Sequence, residues 1–182
     1  SLNRLDKFIR DILDYSRNTR LEVKYEKISI NSLIGDILSE NSYRIDQDKI
    51  KLEKTLSLED IFVSDQLRVK IIFQNLISNA IKYFNPRSDN RRVWIDIFVN
   101  QEKLILKVKD NGIGIPEEYQ DKIFDMFFRA TSKQTGTGIG LYIVKDCLEK
   151  IKGSITVSSV PGETSFRVIL PNKVNEIVQQ NK

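Results

Sequence analysis

The sequence predicts an α+β sandwich, a mixed sheet with helices on one face, preceded by one N-terminal helix. Helical and strand periodicities are interleaved without the βαβ regularity that marks a parallel sheet. Two alternating runs, Val93 to Val99 and Leu104 to Lys109, read as a hairpin joined around Gln101. A chain of 182 residues, 40% hydrophobic and 30% charged, is enough for one ordinary domain with an appended element.

Leu2, Leu5, Ile9 and Ile12, with Phe8 and Leu13 alongside, place an apolar seam on a first helix that ends near Asn18. The seam covers fewer than three heptads, so the pattern is compatible with either helix packing or a dimer. A connector from Thr19 to Glu26 follows, then a short strand at Ile28 and Ile30, and a helix capped by Asn31 and carrying Leu33, Ile34, Ile37 and Leu38. Ile50, Leu52 and Leu56 mark a further strand, and Ile61 to Ser64 a third. Asp65 then caps a long helix reaching about Tyr83. After the loop from Asn85 to Asn90 and the hairpin, the segment from Asn111 to Gly140 concentrates glycines around a helical patch from Glu117 to about Phe127. Loops of that length are usually functional. A helix from Ile139 to Lys150 and strands Ile155 to Ser158 and Ser165 to Leu170 close the chain.

Histidine is absent, which excludes Ser-His-Asp and Cys-His catalysis and HExxH zinc sites within the chain. The single Cys147, set among Leu141, Val144 and Leu148, reads as a core side chain and points to a reducing compartment. The net charge is +4, but 29 basic residues are set against 25 acidic ones along the whole sequence, which argues against nucleic acid as a partner. No stretch is long and apolar enough to span a bilayer. The start at Ser1, without Met, suggests a piece of a longer protein, whose upstream part is free to include a membrane anchor.

Three constellations carry chemistry. At 100° per residue, Asn75, Asn79 and Lys82 fall in an arc of roughly 60° on the long helix, flanked by Ile71 and Ile72, which makes the stripe a poor solvated face. Two carboxamides and an amine beside apolar groups suit a divalent cation and phosphates, since Mg²⁺ takes oxygen ligands. Leu104, Leu106 and Val108 share one strand face, and Asp110 continues their parity, which aims a carboxylate inward. Buried, it needs a donor, and an exocyclic amine fits. Gly112 and Gly114 follow at once and allow close approach to a flat ligand. Gly136-Thr137-Gly138-Ile139-Gly140-Leu141 opens a helix whose N-terminal amides would face phosphate, yet it is neither a Walker A loop nor a Rossmann fingerprint.

The order of Asn79-Ala80-x-Lys82, Asp110-x-Gly-x-Gly, Phe124-x-x-Phe127-Phe128-Arg129 and Gly136 to Leu141 resembles the N, G1, F and G2 boxes of the sensor histidine kinases. These belong to the Bergerat-fold ATP-binding superfamily that also includes Hsp90, type II topoisomerases and MutL. The resemblance covers about Ile28 to Pro171, and Asp14-Tyr15-Ser16-Arg17 looks like the end of the second helix of those kinases' dimerisation and phosphoacceptor domain.

The resemblance implies a division into residues 1–20, the end of that helix with its linker, and residues 21–182, the catalytic domain. It implies Mg²⁺ on Asn79 with Asn75 beside it, phosphate charge offset by Lys82, and Tyr83 lining the pocket. Asp110 would accept from the adenine amine. Gly112, Ile113, Gly114, Ile115 and Thr164 would lie around the base, with Phe127 and Arg129 in the lid and Gly136, Thr137, Gly138, Ile139, Gly140 and Leu141 over the triphosphate. The related ATPases place a Glu four residues before the metal-binding Asn, where this chain has Asn75, and an amide is no general base. The expected function is therefore transfer of the γ-phosphoryl group of Mg-ATP to a histidine in an upstream phosphoacceptor domain, for relay to a response regulator, by a cytoplasmic region of a homodimer. A nucleotide-binding regulatory module that does not transfer phosphate and an ATPase of the same superfamily are the alternatives.

Overall fold

The computed structural model describes residues 2–130 and 136–176. Helix α1 (Leu2–Arg20) precedes strand β1 (Glu26–Ile28), helices α2 (Ile30–Glu40) and α3 (Ser42–Gln47), and strands β2 (Lys51–Leu58) and β3 (Phe62–Ser64). Helix α4 (Gln66–Lys82), strands β4 (Arg92–Val99) and β5 (Lys103–Asp110), and a single turn α5 (Glu117–Gln120) come next. Helix α6 (Gly140–Ile151) and the hairpin β6 (Ser154–Val160) and β7 (Glu163–Pro171) follow. Five strands form one sheet in the order β2-β4-β5-β7-β6. The β2–β4 contact is parallel and the others antiparallel, while β1 and β3 pair separately.

Period-two alternation makes the sheet one-sided. Val93, Ile95, Ile97 and Val99 of β4, Leu104, Leu106 and Val108 of β5, and Phe166, Val168 and Leu170 of β7 are all buried in the core. Asp96, Lys107 and Arg167, neighbours in register across the same strands, are exposed on the other face. The helices α2, α4 and α6 cover the apolar face, with α4 in the middle of the layer. Val69, Ile72, Phe73, Leu76, Ile77 and Ile81 of α4 are completely buried, each contributing about 1.5–3 kcal/mol of apolar transfer. Cys147 belongs to this core, where burial pushes its thiol up to about 12, out of the range of a reactive thiolate.

The expected fold class holds, and several local readings change. Ile30 does not extend a strand: it opens α2, and the cap is Ser29, whose hydroxyl accepts from the Ser32 amide at 3.4 Å, rather than Asn31. Serine caps as well as asparagine, so polar candidates at 29 and 31 leave the choice to tertiary packing. Asp65 caps α4 as expected, accepting from the Arg68 amide at 3.0 Å. The expected helix from Glu117 to Phe127 stops at Gln120 and continues as turns. Helix α3 had no signal, because none of its side chains is buried and it therefore shows no apolar stripe. Of the seam on α1, Leu5, Phe8, Ile9, Ile12 and Leu13 are all exposed; the side chain of Leu2 lies outside the described residues. No helix among the described residues is long and apolar enough to cross a membrane.

Candidate nucleotide site

Parity along β5 brings Asp110 to the apolar face, where it is only 6% exposed. Burial raises its carboxyl to about 7, against the Gly112 amide that pulls it down, with Glu163 adding a smaller push upward. The Gly112 amide donates to Oδ1 at 2.9 Å, and the Ile113 amide donates to the Tyr83 carbonyl at 3.0 Å, so the strand end is held to the end of α4. Glycine is needed at 112 because a Cβ there would lie 2.2 Å from the Tyr83 carbonyl oxygen and 2.6 Å from Asp110 Oδ1. Gly112→Ala is expected to cost about 1–3 kcal/mol through overpacking and to displace the carboxylate. A thermal melt together with titration of a nucleotide analogue checks it; unchanged affinity would contradict the close approach.

Next to Asp110, Thr164 of β7 is its partner in register, and the Thr164 hydroxyl lies 3.0 Å from Ser159 Oγ. Ser159 in turn accepts from the Ile115 amide at 2.8 Å, while Gln120 donates to the carbonyls of Ile115 and Ser159. The rim after Gly114 is thus pinned to β6. Gly114 itself has φ +75, and a Cβ on it would meet the Val160 carbonyl oxygen at 2.3 Å.

Helix α4 supplies the floor. Asn75 donates to the Ile71 carbonyl at 2.9 Å, and its Oδ1 faces the start of α6, where a Cβ on Gly140 would come within 2.5 Å of it. Asn79 lies one turn further along, and its amide has no hydrogen-bond partner among the described residues. Lys82 Nζ donates to the Tyr83 hydroxyl at 3.0 Å. Burial raises the Tyr83 phenol, and the charge of Arg129 lowers it in part, so a second cation faces the same end. Gly136 belongs here too, since a Cβ would stand 2.8 Å from Lys82 Nζ.

Helix α6 starts without a side-chain cap of its own, because Ile139 precedes it. Its first amides are therefore available to an anion at the positive end of the helix. The Thr137 hydroxyl accepts from the Ile139 amide at 3.3 Å and donates to Asp11 Oδ2 of α1.

These groups enclose a cleft of about 290 Å³. Asn75, Asn79, Lys82, Tyr83, Asp110, Ile113, Gly114, Ile115, Arg129, Gly136, Thr137, Gly138, Gly140, Leu141 and Thr164 line it. Three expected site residues do not. Gly112 sits behind Asp110, Ile139 is fully buried in the core, and Phe127, with φ 66, is 60% exposed. The backbone explains Phe127: its amide donates to the Gly138 carbonyl at 2.9 Å, and Gly138 packs so closely that a Cβ would lie 2.7 Å from the Phe127 carbonyl carbon. Phe128 lines the cleft instead. Ala80, Pro116, Ile123, Ala130 and Phe166 also line it and were not anticipated. For Phe166 the signal was present, because it shares the inward parity of β7 two residues after Thr164. The part of the expected lid at residues 131–135 lies outside the described residues.

The cleft brings one carboxylate and several apolar side chains together with an ammonium, a guanidinium and the uncapped start of α6. That suits an amine-bearing flat base joined to a polyanion. No cluster of three or more His, Cys, Asp or Glu able to hold a metal occurs among the described residues.

The chain matches the family model described as histidine kinase-, DNA gyrase B-, and HSP90-like ATPase over residues 64–174. It is 34% identical over 95% of its length to sensor protein kinase WalK of Staphylococcus saprophyticus, of which it spans 29%. A WalK sequence from Staphylococcus aureus matches at 34% identity, with 43% of that protein spanned. Among solved structures, the Acinetobacter baumannii histidine kinase AdeS superposes with a TM-score of 0.75 at 26% identity, over 94% of this chain and 80% of that one. The nucleotide-free catalytic domain of histidine kinase ThkA superposes with a TM-score of 0.69 at 26% identity, over 82% and 98%. A structure of ThkA in complex with the response regulator protein TrrA shares the fold, with a TM-score of 0.72 at 24% identity, over 94% and 48%.

Proposed function

The chain belongs to the histidine kinase-, DNA gyrase B-, and HSP90-like ATPase family, and from that premise we propose that it is the catalytic part of a sensor histidine kinase. In this reading residues 21–182 bind Mg-ATP, and residues 1–20 are the stem of a phosphoacceptor domain whose histidine receives the γ-phosphoryl group. The chain itself has no histidine, so the acceptor lies outside it. A cytoplasmic setting, a homodimer built on the exposed apolar seam of α1, and relay to a response regulator complete the proposal.

One observation carries transfer rather than hydrolysis. Among the described residues lining the cleft, Asp110 is the only carboxylate, and it sits at the base end. Among the described residues that line the cleft, none beside Asn75, Asn79 and Lys82 is a carboxylate that could take a proton from an attacking water, which supports a bound nucleotide kept for another nucleophile. Ionised Asp110 accepts from the exocyclic amine of adenine. The α6 amides, Lys82 and Arg129 meet the phosphates and offset the charge that develops on the moving phosphoryl group. Asn79 offers an amide oxygen as Mg²⁺ ligand, and the donor set of amide and phosphate oxygens fits that ion. When bound, Mg²⁺ supplies neutralisation of phosphate charge.

To test the reading, the protein extended upstream through the acceptor is given γ-labelled ATP. Label that survives base and is lost in acid supports it; release of inorganic phosphate without protein label overturns it. A pH dependence follows as well. The carboxyl of free Asp110 titrates at about 7 and must be ionised to accept from the amine. Affinity for adenosine, which carries no phosphate of its own to titrate, is expected to rise roughly tenfold between pH 6 and pH 8. Calorimetry in buffers of different ionisation heat reads the released proton, and a flat profile would remove Asp110 from the base site.

A further inference from the structure

We propose that Arg68, which lies outside the nucleotide cleft, is a positioning residue for phosphoryl transfer: it clamps the C-terminal end of α1 to the first turn of α4. The inference rests on the histidine-kinase reading, because only there does the direction of α1 relative to the cleft matter.

Arg68 is 1% exposed. Its Nη1 donates to Asp65 Oδ2 at 2.5 Å and its Nε to Asn18 Oδ1 at 2.7 Å. Its Nη2 donates to the carbonyl of Asn18 in the last turn of α1 at 2.9 Å and to that of Leu21, just past the helix, at 2.6 Å. Terminal helix carbonyls have no partner within their own helix and carry the negative end of its dipole, so a cation there is well placed. Water would ordinarily satisfy them. Here a fully desolvated guanidinium does so, which is costly unless its N–H groups are met, and each of its three nitrogens is engaged. An apolar side chain would fill the same space with less desolvation; what the guanidinium adds is a fixed geometry between two helices.

The second half of the clamp is Asp65. Its Oδ1 caps α4 through the Arg68 amide at 3.0 Å, while Oδ2 receives the Arg68 guanidinium and the Lys24 amide of the connector at 3.0 Å. One carboxylate therefore ties the start of α4 to the chain leaving α1. From Arg68, α4 runs straight to Asn79, roughly 16 Å along its axis at 1.5 Å per residue. Helix α6 closes the knot: Asn18 Nδ2 donates to Asp146 at 2.5 Å and Lys150 Nζ to the Asn18 carbonyl at 2.6 Å. The helix that carries the metal and phosphate groups is thus seated on the end of the helix that leads to the acceptor. Arg68 touches neither nucleotide nor acceptor, so its loss changes where the phosphoryl group points and leaves the cleft's own contacts in place.

The experiment separates binding from transfer. In this chain, Arg68→Gln is expected to leave the Kd for a non-hydrolysable ATP analogue within twofold of the parent. Hydrogen exchange of the amides from Tyr15 to Leu21 should accelerate at least tenfold while α4 stays protected. In the protein extended upstream through its acceptor histidine, the same variant is expected to lose at least tenfold in the rate of label transfer at saturating ATP, with KM for ATP unchanged. If Arg68→Gln does not fold, Asn18→Ala removes the Nε partner and the Asp146 contact without stranding a buried charge, and the same split is expected at smaller size. Transfer at the parental rate, or a Kd that weakens in step with the rate, overturns the proposal. Absence of label in the parent protein would instead overturn the kinase reading, while the exchange measurement would still report whether the clamp exists.

Discussion

Replacing Asp110 with Asn is expected to abolish nucleotide binding and, in the same variant, to make the free protein more stable above pH 7. Both effects come from one buried carboxyl. A hydrogen bond to it from a bound amine would be charge-assisted, about 1.5–3 kcal/mol, and the replacement amide can also turn an NH₂ toward the amine, leaving two donors face to face in a dry slot. A loss of at least a hundredfold in affinity follows on the scale by which buried polar sites reject mismatched partners. The stability effect has the opposite sign. The folded carboxyl titrates at about 7, above the unfolded value near 3.9. A raised carboxyl pKa means that the fold favours the protonated form. The stability associated with it is fully present below pH 4 and is lost as pH rises to 7. Three pH units correspond to something on the order of 4 kcal/mol. The amide does not titrate and still accepts from the Gly112 amide, so the melting temperature of Asp110→Asn should exceed the parent's at pH 8 and converge with it near pH 4. Retained affinity, or a variant less stable at pH 8, would show that Asp110 is a structural acid and not a base-recognition group. A ligand contact that costs stability in the free protein is common at functional sites.

The same carboxyl shows how much of the site was legible beforehand. Parity along β5 placed Asp110 with Leu106 and Val108, and period two is a rigid rule once one face of a sheet is apolar, so the prediction needed no tertiary information. The stripe of Asn75, Asn79 and Lys82 was legible for a similar reason: a helix fixes angular position, and all three line the cleft. The lid obeys no such period. Whether Phe127 or Phe128 enters the cleft depends on the positive φ of Phe127 and on its backbone contact with Gly138, a pairing across residues distant in sequence. The resemblance put Gly112 near the base and Ile139 over the triphosphate; in the structure Gly112 supports Asp110 from behind and Ile139 anchors α6 in the core. Arg68 lies at the other extreme. Nothing in the sequence marks it out, because its importance comes from Asn18 and Leu21, contacts that only the docked position of α1 creates.

Asn79→Ala is expected to remove the Mg²⁺ dependence of nucleotide binding and, in the extended protein, to reduce label transfer by a hundredfold or more. The two asparagines of the stripe are not equivalent. Asn75 is committed to the Ile71 carbonyl and pressed against Gly140, so its amide orientation is fixed by the protein. The Asn79 amide faces the cleft without such a partner among the described residues, which leaves its oxygen able to turn toward an ion. Alanine is the better helix former by several tenths of a kcal/mol, and Asn79 is only partly buried, so α4 should not weaken. The melting temperature is expected to stay within a few degrees of the parent's. Titration with an ATP analogue, with and without Mg²⁺, should then give one common affinity, close to that of the parent without the ion, while adenosine binds as before because Asp110 is untouched. If Mg²⁺ still tightens binding by the parental factor, the ion is held elsewhere, and Asn75 with its orientation reversed becomes the ligand to examine. If adenosine weakens too, the substitution has disturbed the cleft as a whole. The same titrations on Asn75→Ala complete the comparison: with the ion on Asn79, that variant should keep its Mg²⁺ dependence and lose affinity equally with and without the ion.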